Sequence, residues 1–193
     1  MTRPSDFTNL QAAISFALRK HQGQMRKDER TPYAAHPVRV MMLVALQFGV
    51  TDTDVLAAAV LHDTIEDTTA DRDDLIERFG ERVAGYVATL SKDKRLAEDP
   101  RERDFLEALA SAPIEVKLCK LGDTVDNLSD VLGLDAAARR KAVDKARQLL
   151  DRFAPGFPRE WRHVLEIVGE KVREVEGHDN SGEMGRVARA FRP

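Results

Sequence analysis

The sequence predicts an all-α protein, built as one helical bundle. Along most of the chain, apolar residues recur at the three- and four-residue intervals of amphipathic helices. No segment shows the two-residue alternation, bounded by turn dipeptides, that is typical of a strand. Glycine and proline fall between the periodic segments, where they can end helices. A length of 193 residues also fits one domain of ordinary size.

Nine helices are predicted, each from its apolar spacing and its end signals. They cover residues 7–21, 35–48, 55–61, 71–79, 81–90, 102–110, 113–132, 136–153 and 159–176. The first carries its apolar stripe on one face and ends before Gly23. The second tolerates Pro37 in its first turn and ends before Gly49. The third follows Thr51 or Asp52 as its N-cap and is apolar on nearly every side, so we expect it at the centre of the fold.

The later helices are separated by breaks of a similar kind. Gly80 divides the fourth helix from the fifth. Residues 91–101 have no apolar face, which predicts a loop before the sixth helix. Pro113 opens the seventh helix and Gly133 ends it, and the segment 154–158, APGFP, separates the eighth from the ninth.

Composition excludes several classes of protein. The chain has 30 basic and 33 acidic residues, so no excess of positive charge favours a nucleic-acid polymer as partner. The single cysteine, Cys119, excludes an internal disulfide framework, and its apolar neighbours predict that it is buried. No apolar run approaches the ~20 residues that span a bilayer, and the N-terminus lacks the apolar region of a signal peptide. We expect a soluble, cytoplasmic protein with one domain over residues 1–176 and a loosely held tail over residues 177–193.

The string HDTIED, residues 62–67, concentrates ionisable groups at the end of the third predicted helix. Positions i, i+1, i+4 and i+5 of a helix share one face. The residues at those positions are His62, Asp63, Glu66 and Asp67. Such a cluster beside buried surface is costly unless a cation or hydrogen bonds compensate, although a solvated acidic face is the plainer alternative.

Two further residues could turn this cluster into a metal site. His36, which precedes a proline, and Asp123, in KLGDTVDNL, would complete a shell of two histidines and two aspartates with His62 and Asp63. That mixture of nitrogen and oxygen donors suits Mn²⁺, Fe²⁺ or Zn²⁺ better than Ca²⁺.

The order of these motifs resembles the HD superfamily of metal-dependent phosphohydrolases. The motifs are a GQxRK loop, TPYxxHP, HDxxED, FGxxV and KLxDxxxNL, within residues 7–170. The resemblance is closest to the hydrolase domain of RelA/SpoT-type enzymes, and most of all to the stand-alone small alarmone hydrolases, which include metazoan SpoT homologues. It implies an all-α fold and a Mn²⁺-dependent enzyme that removes the 3′-pyrophosphate of ppGpp or pppGpp.

The resemblance also implies roles for particular residues. His36, His62, Asp63 and Asp123 match the metal ligands of the family. Glu66 and Asp67 match its catalytic carboxylates, which orient or deprotonate the attacking water. Arg26 and Lys27 match loop residues that contact the nucleotide, and Asn127 matches a residue near the ribose. The chain departs from the family pattern at Gly122, directly before the last ligand.

Basic residues outside the matched positions can also serve a substrate that carries two pyrophosphate groups. Arg30 lies in the first loop, and Lys92, Lys94 and Arg95 form a second cluster, of which Lys94 is our candidate contact. The same lysines and arginines could instead be ordinary solvated surface. Tyr33 is equally compatible with core packing and with a place in the wall of the site.

Two alternative functions stay open at this stage. One keeps the chemistry and changes the substrate, for example to the 2′-phosphate of NADPH. The other is a non-catalytic HD module that senses a nucleotide, which the intact pair of Glu66 and Asp67 argues against. The choice between ppGpp and pppGpp, and the oligomeric state, are likewise open.

Overall fold

The described residues of this computed structural model are 4–95 and 97–190, with side-chain surroundings described for residues 7–95 and 97–178. Their regular structure is helical, with one isolated β-bridge between Met25 and Pro32, which confirms the predicted all-α class. The α-helices are α1 Pro4–Lys20, α2 Ala35–Leu46, α3 Thr53–Leu61, α4 Thr64–Asp67, α5 Arg72–Leu90, α6 Glu98–Ser111, α7 Ile114–Asp130, α8 Ala136–Phe153 and α9 Arg162–Ala190.

Most predicted helix ends are found within a few residues. Asp52 caps α3, since its side chain accepts the backbone N–H of Asp54. Gly80, with φ of 85°, is a non-helical residue inside α5, which confirms the predicted break. The start of α6 differs, because it begins at Glu98 inside the predicted loop. Glu98 and Asp99 occupy its first turn, where acidic side chains stabilise a helix.

The end of the chain also differs from the prediction. A 3₁₀ turn at Arg159–Trp161 precedes α9, which continues to Ala190 instead of ending at residue 176. A helix satisfies its own backbone hydrogen bonds, so it can continue without the apolar face on which the prediction relied. That the tail is loosely held stays a prediction, and residues 191–193 of it lie outside the described residues.

Two compact units divide the chain, and the first comprises Met1–Asp123. Its centre is α3, in which every residue from Val55 to Leu61 is buried. Helices α1, α2 and α5 all pack against α3. Cys119 of α7 is buried as predicted, and its thiol donates to the carbonyl of Val55 at 3.5 Å. Burial raises the pKa of this thiol, so it is not a reactive thiolate.

Gly122 allows α7 to approach α2 closely. A Cβ atom at this position would lie 2.8 Å from Cγ2 of Val44 and 3.5 Å from Cγ1 of Val40. Both valines are fully buried, so neither can easily move aside. The departure from the family pattern at Gly122 is therefore a packing feature, and it places the residue that follows, Asp123, beside the helix that carries His36.

The second unit comprises Thr124–Pro193. Its core is contributed by α7, α8, α9 and the 3₁₀ turn Val131–Gly133. The buried residues of that core are Leu128, Val131, Val143, Ala146, Val172 and Val175. In the part of the chain that the structure describes, no helix is both long and apolar enough to cross a membrane.

Candidate metal and catalytic site

Residues 62–67 do not form the single helical face expected at the end of the third helix, although that helix ends at Leu61 as predicted. Helix α3 ends at Leu61, His62 and Asp63 form a turn, and the four-residue helix α4 starts at Thr64. The Thr64 hydroxyl donates to the carbonyl of Leu61 at 2.6 Å, a local bond of the kind that competes with helix continuation. The histidine and the carboxylates are brought together by this turn instead.

Four side chains from three parts of the first unit converge at the turn. The Nε2 atoms of His36 and His62 are 3.2 Å apart. Oδ2 of Asp63 lies 3.4 Å and 3.0 Å from these two atoms. Oδ1 of Asp123 lies 3.2 Å and 3.6 Å from the same two atoms. Both histidines and Asp123 are buried.

The hydrogen bonding of His62 fixes which ring nitrogen faces the cluster. Nδ1 lies 2.8 Å from the carbonyl of Ala59, which can only accept, so Nδ1 carries the proton. In the neutral ring, Nε2 then presents a lone pair to the carboxylate oxygens. Burial lowers the pKa of His62, but the charge of Asp63 and hydrogen bonds to Asp123 and Asp63 outweigh it and raise the pKa to about 9. A positive charge at this point is therefore favoured.

The two aspartates stay ionised for related reasons. Burial opposes their charged form, yet the pKa of Asp63 lies well below its usual value because of the charge of His62 and hydrogen bonds from His36 and His62. Burial also raises the pKa of Asp123, but the charge of Lys120 together with hydrogen bonds from His36 and His62 outweighs burial and holds this pKa well below its usual value. Lys120 Nζ donates to Oδ2 of Asp123 at 2.5 Å, which leaves Oδ1 to face the histidines.

This donor set fits a divalent cation. His36, His62 and Asp123 form a buried group that could hold a metal ion, and Oδ2 of Asp63 is a fourth candidate donor. Around a cation with ligands at about 2.1 Å, neighbouring donor atoms are about 3 Å apart. The observed separations are of this size.

Tyr33 contacts the cluster through its hydroxyl. It donates to Oδ2 of Asp63 at 2.5 Å and lies 3.5 Å from Oδ2 of Asp67. Burial, together with the charge of Asp63, raises the pKa of this phenol, so Tyr33 remains a donor. Its ring also packs edge-on against His36, with 5.6 Å between the ring centroids. Tyr33 thus packs and contacts the site at once, and that it binds substrate stays a prediction.

The predicted catalytic carboxylates lie on α4 and are held from the loop after α5. Oε2 of Glu66 accepts the backbone N–H of Lys92 at 2.9 Å. Oδ1 of Asp67 accepts from Lys94 Nζ at 2.7 Å. Of the predicted basic cluster, Lys94 therefore reaches the site, whereas Lys92 Nζ binds Glu102 at 2.7 Å.

The other predicted contact residues lie on the two loops and on α7. The Arg26 guanidinium lies 5.4 Å from the centroid of the Tyr33 ring. Lys27 is exposed on the same loop. Arg95 pairs with Asp93 at 2.7 Å. Asn127 follows Asp123 by one turn of α7 and falls in the second unit. The substrate roles of Arg26, Lys27 and Asn127 stay predictions.

Sequence reasoning missed Lys120. It precedes Asp123 by three residues, and such i,i+3 pairs face each other on a helix, so the spacing could have indicated the contact. Within the described residues, no comparable local signal marks the bond between Lys92 and Glu66, which are 26 residues apart.

Comparison with known proteins adds independent findings. Residues 13–155 match the family described as the HD domain. The chain is 40% identical over 128 residues to guanosine-3′,5′-bis(diphosphate) 3′-pyrophosphohydrolase MESH1 of Xenopus tropicalis, covering 66% of this chain and 72% of the relative. Human MESH1 is 41% identical over 128 residues, with the same coverage of each chain.

A solved structure is similar over most of the chain. It is described as a metazoan ortholog of SpoT that hydrolyses ppGpp and plays a role in starvation responses. The TM-score is 0.79 at 31% sequence identity, and the match covers 90% of this chain and 98% of the other.

Proposed function

The chain belongs to the HD-domain family, and from this premise we propose that it hydrolyses guanosine 3′,5′-bis(diphosphate) at the 3′ position. The products would be GDP and pyrophosphate, or GTP and pyrophosphate from pppGpp. The observation that carries the proposal is the buried group of His36, His62 and Asp123, with Asp63 beside it, next to the carboxylates of α4. The relatives named above as ppGpp hydrolases support the choice of substrate.

We propose that His36, His62, Asp63 and Asp123 hold one Mn²⁺ ion, with Fe²⁺ or Zn²⁺ as the alternatives that the same donors accept. Bound there, the ion supplies Lewis-acid polarisation of a phosphoryl oxygen. The chain's own contribution is the arrangement of donors. His62 is oriented by Ala59, and Asp123 is oriented by Lys120.

The carboxylates of α4 would handle the proton. Glu66 is half-buried and anchored through Oε2 by the backbone of Lys92, and we propose that it accepts a proton from the attacking water. The water oxygen forms a bond to the nearer phosphorus of the 3′-pyrophosphate, the bond from that phosphorus to the ribose 3′-oxygen breaks, and that oxygen takes up a proton. Asp67, paired with Lys94 Nζ at 2.7 Å, would orient the water.

Cationic and polar side chains would bind the nucleotide. Arg26 and Lys27 on the first loop and Lys94 on the second are the proposed phosphate and base contacts, with Tyr33 in the wall of the site and Asn127 near the ribose. The substrate that we propose is a small nucleotide, and we keep the predicted cytoplasmic location as part of the proposal.

A nucleotide panel tests the proposal. Purified protein is loaded with Mn²⁺ and offered ppGpp, pppGpp and NADPH, and pyrophosphate, phosphate and nucleoside products are quantified. We expect pyrophosphate and GDP in equal amounts from ppGpp, and none with Asp63→Ala. Phosphate from NADPH with ppGpp untouched would replace the proposed substrate. Nucleotide binding without any turnover would indicate a sensing module.

A further inference from the structure

A second polar network joins α1 to the helix of the catalytic carboxylates. His21, the residue after α1, is 1% exposed, and its Nδ1 lies 2.8 Å from Oε1 of Gln24. Nε2 of Gln24 lies 2.9 Å from the backbone carbonyl of Asp67, 43 residues away. That carbonyl can only accept, so Gln24 turns its amide nitrogen to Asp67 and its oxygen to His21. Nδ1 of His21 must then carry the ring proton.

The same two residues also hold Tyr33. The backbone N–H of Tyr33 donates to the carbonyl of Gln24 at 2.8 Å. The rings of His21 and Tyr33 lie 4.8 Å apart, inclined at 34°. The Tyr33 hydroxyl in turn donates to Asp63. Gln24 is therefore bonded to both sides of the candidate site, to the Tyr33 segment through its backbone and to α4 through its side chain.

Helix α4 needs such an external tether. A helix of four residues has too few internal hydrogen bonds to be stable alone, so its neighbours must fix the direction of Glu66 and Asp67. The network also carries an energetic cost that an apolar core at this position would not have. Nε2 of His21 is buried and, among the described residues, has no hydrogen-bond partner, so an apolar side chain would fill the space at lower cost.

We propose that His21 and Gln24 are positioning residues, which fix α4 and its carboxylates relative to the Tyr33 segment through the hydrogen bond from Gln24 to the Asp67 carbonyl. The kinetic consequence of this inference rests on the proposed hydrolase function, whereas the tether itself does not. Neither residue touches the proposed metal ligands directly, so metal binding should survive their replacement.

Gln24→Glu is the sharpest test, because it keeps the acceptor for His21 and replaces the donor to Asp67 by an oxygen. We expect kcat for ppGpp to fall about tenfold or more, since small displacements of catalytic groups are costly. The dissociation constant of Mn²⁺, measured by calorimetry, should stay within about threefold of the wild-type value. Gln24→Met removes both polar groups without adding charge, and it should show the same loss if the glutamate variant does not fold. Gln22→Glu, at an exposed position, is the matched control.

Two variants of His21 separate its hydrogen bond from its ring. His21→Asn can place an amide N–H near the position of Nδ1, whereas His21→Phe keeps a ring beside Tyr33 and loses the donor. We expect the asparagine variant to retain most of the wild-type kcat and the phenylalanine variant to resemble Gln24→Met. The reverse ranking would overturn the hydrogen-bonded tether.

Hydrogen exchange gives a readout that does not depend on activity. Amides of residues 64–68 should exchange faster in Gln24→Met than in the wild-type protein and in Gln22→Glu, all loaded with Mn²⁺. A lower thermal midpoint with unchanged exchange and unchanged kcat would show a merely structural role and refute the proposal. If the wild-type protein fails to hydrolyse ppGpp, the proposed function fails, while the exchange comparison still decides the tether.

Discussion

The carboxylates around His62 are balanced by donors that come from different parts of the first unit. Lys120 binds Asp123, Tyr33 binds Asp63, and Lys94 binds Asp67. Each of these hydrogen bonds is made to one defined carboxylate oxygen, so each carboxylate has one orientation. Hydrogen bonds from single residues therefore orient the carboxylates of the site, and those from the two lysines also balance negative charge.

Glu66→Gln should lower turnover of ppGpp by roughly 10²-fold or more, because the amide cannot accept the proton of the attacking water. The amide oxygen can still accept the backbone N–H of Lys92, so the geometry of α4 should be preserved. Steady-state kinetics and Mn²⁺ calorimetry check the prediction together. Unchanged turnover would make Glu66 a structural residue, and loss of the metal would show that it is a ligand.

Asp28 shapes the loop that carries Arg26 and Lys27. Its side chain accepts from the hydroxyl of Thr31 and from the backbone of Arg30 and Thr31. The hydrogen bond from the Thr31 side chain is the largest cause that lowers the pKa of Asp28 to about 2. Since the folded pKa is below the ordinary value of 3.8, this stabilisation is present above pH 3.8 and is lost as the pH falls towards 2.

Titration of the Asp28 carboxyl by NMR should accordingly show a midpoint of about 2. Thr31→Val, which removes the hydroxyl at nearly constant shape, should raise that midpoint towards 3.8. A wild-type midpoint near 3.8 would contradict the described turn.

At the scale of elements, the site depends on how closely α2 and α7 approach and on how the chain leaves α3. His36 lies in the first turn of α2, and Asp123 follows Gly122 in α7, where the absence of a Cβ lets the two helices meet. After α3, the chain forms a turn at His62 and Asp63 before the short α4 begins. These helix ends and contacts bring together residues that are far apart in sequence.

Gly122→Ala should destabilise the protein by about 1–3 kcal/mol, as expected for overpacking against Val44. Because the strain lies next to Asp123, Mn²⁺ affinity should fall as well. Gly85→Ala in α5 is the matched control, since nothing lies within 4 Å of its added Cβ. It should be neutral or stabilising by about 0.5–1 kcal/mol. Denaturant unfolding and calorimetry compare the two variants, and equal behaviour would argue against a tight contact of α2 with α7.

At the scale of the whole molecule, the candidate ligands and the carboxylates of α4 all belong to the first unit, whereas Asn127 belongs to the second. The family match covers parts of both units. The polar cluster of the first unit is a buried group of donors that a cation would satisfy. Metal binding should therefore be linked to the stability of the folded state.

Removal of metal should lower the thermal midpoint. At a Mn²⁺ concentration of about 100 times the dissociation constant, linkage stabilises a one-site protein by about 2.7 kcal/mol. For a chain of this size that corresponds to roughly 5–10 °C. The shift should be absent in Asp123→Asn, which loses a charged donor and is the control in a melting experiment with and without EDTA. An equal Mn²⁺ shift in that variant would place the metal elsewhere.

The sequence by itself determined the helical class, the central position of α3, the breaks at Gly80 and before α8, and the residues that form the candidate metal cluster. Periodicity and end signals are local, and the motif order is specific, so both can be found without coordinates. The tertiary structure decided the turn at His62, the close approach at Gly122, and the contacts of Lys94, Lys92 and Gln24 with α4. Those contacts depend on residues distant in sequence and on packing that no local pattern encodes. The hydrogen bond between Gln24 and Asp67, for example, exists only once the loop after α1 lies beside α4.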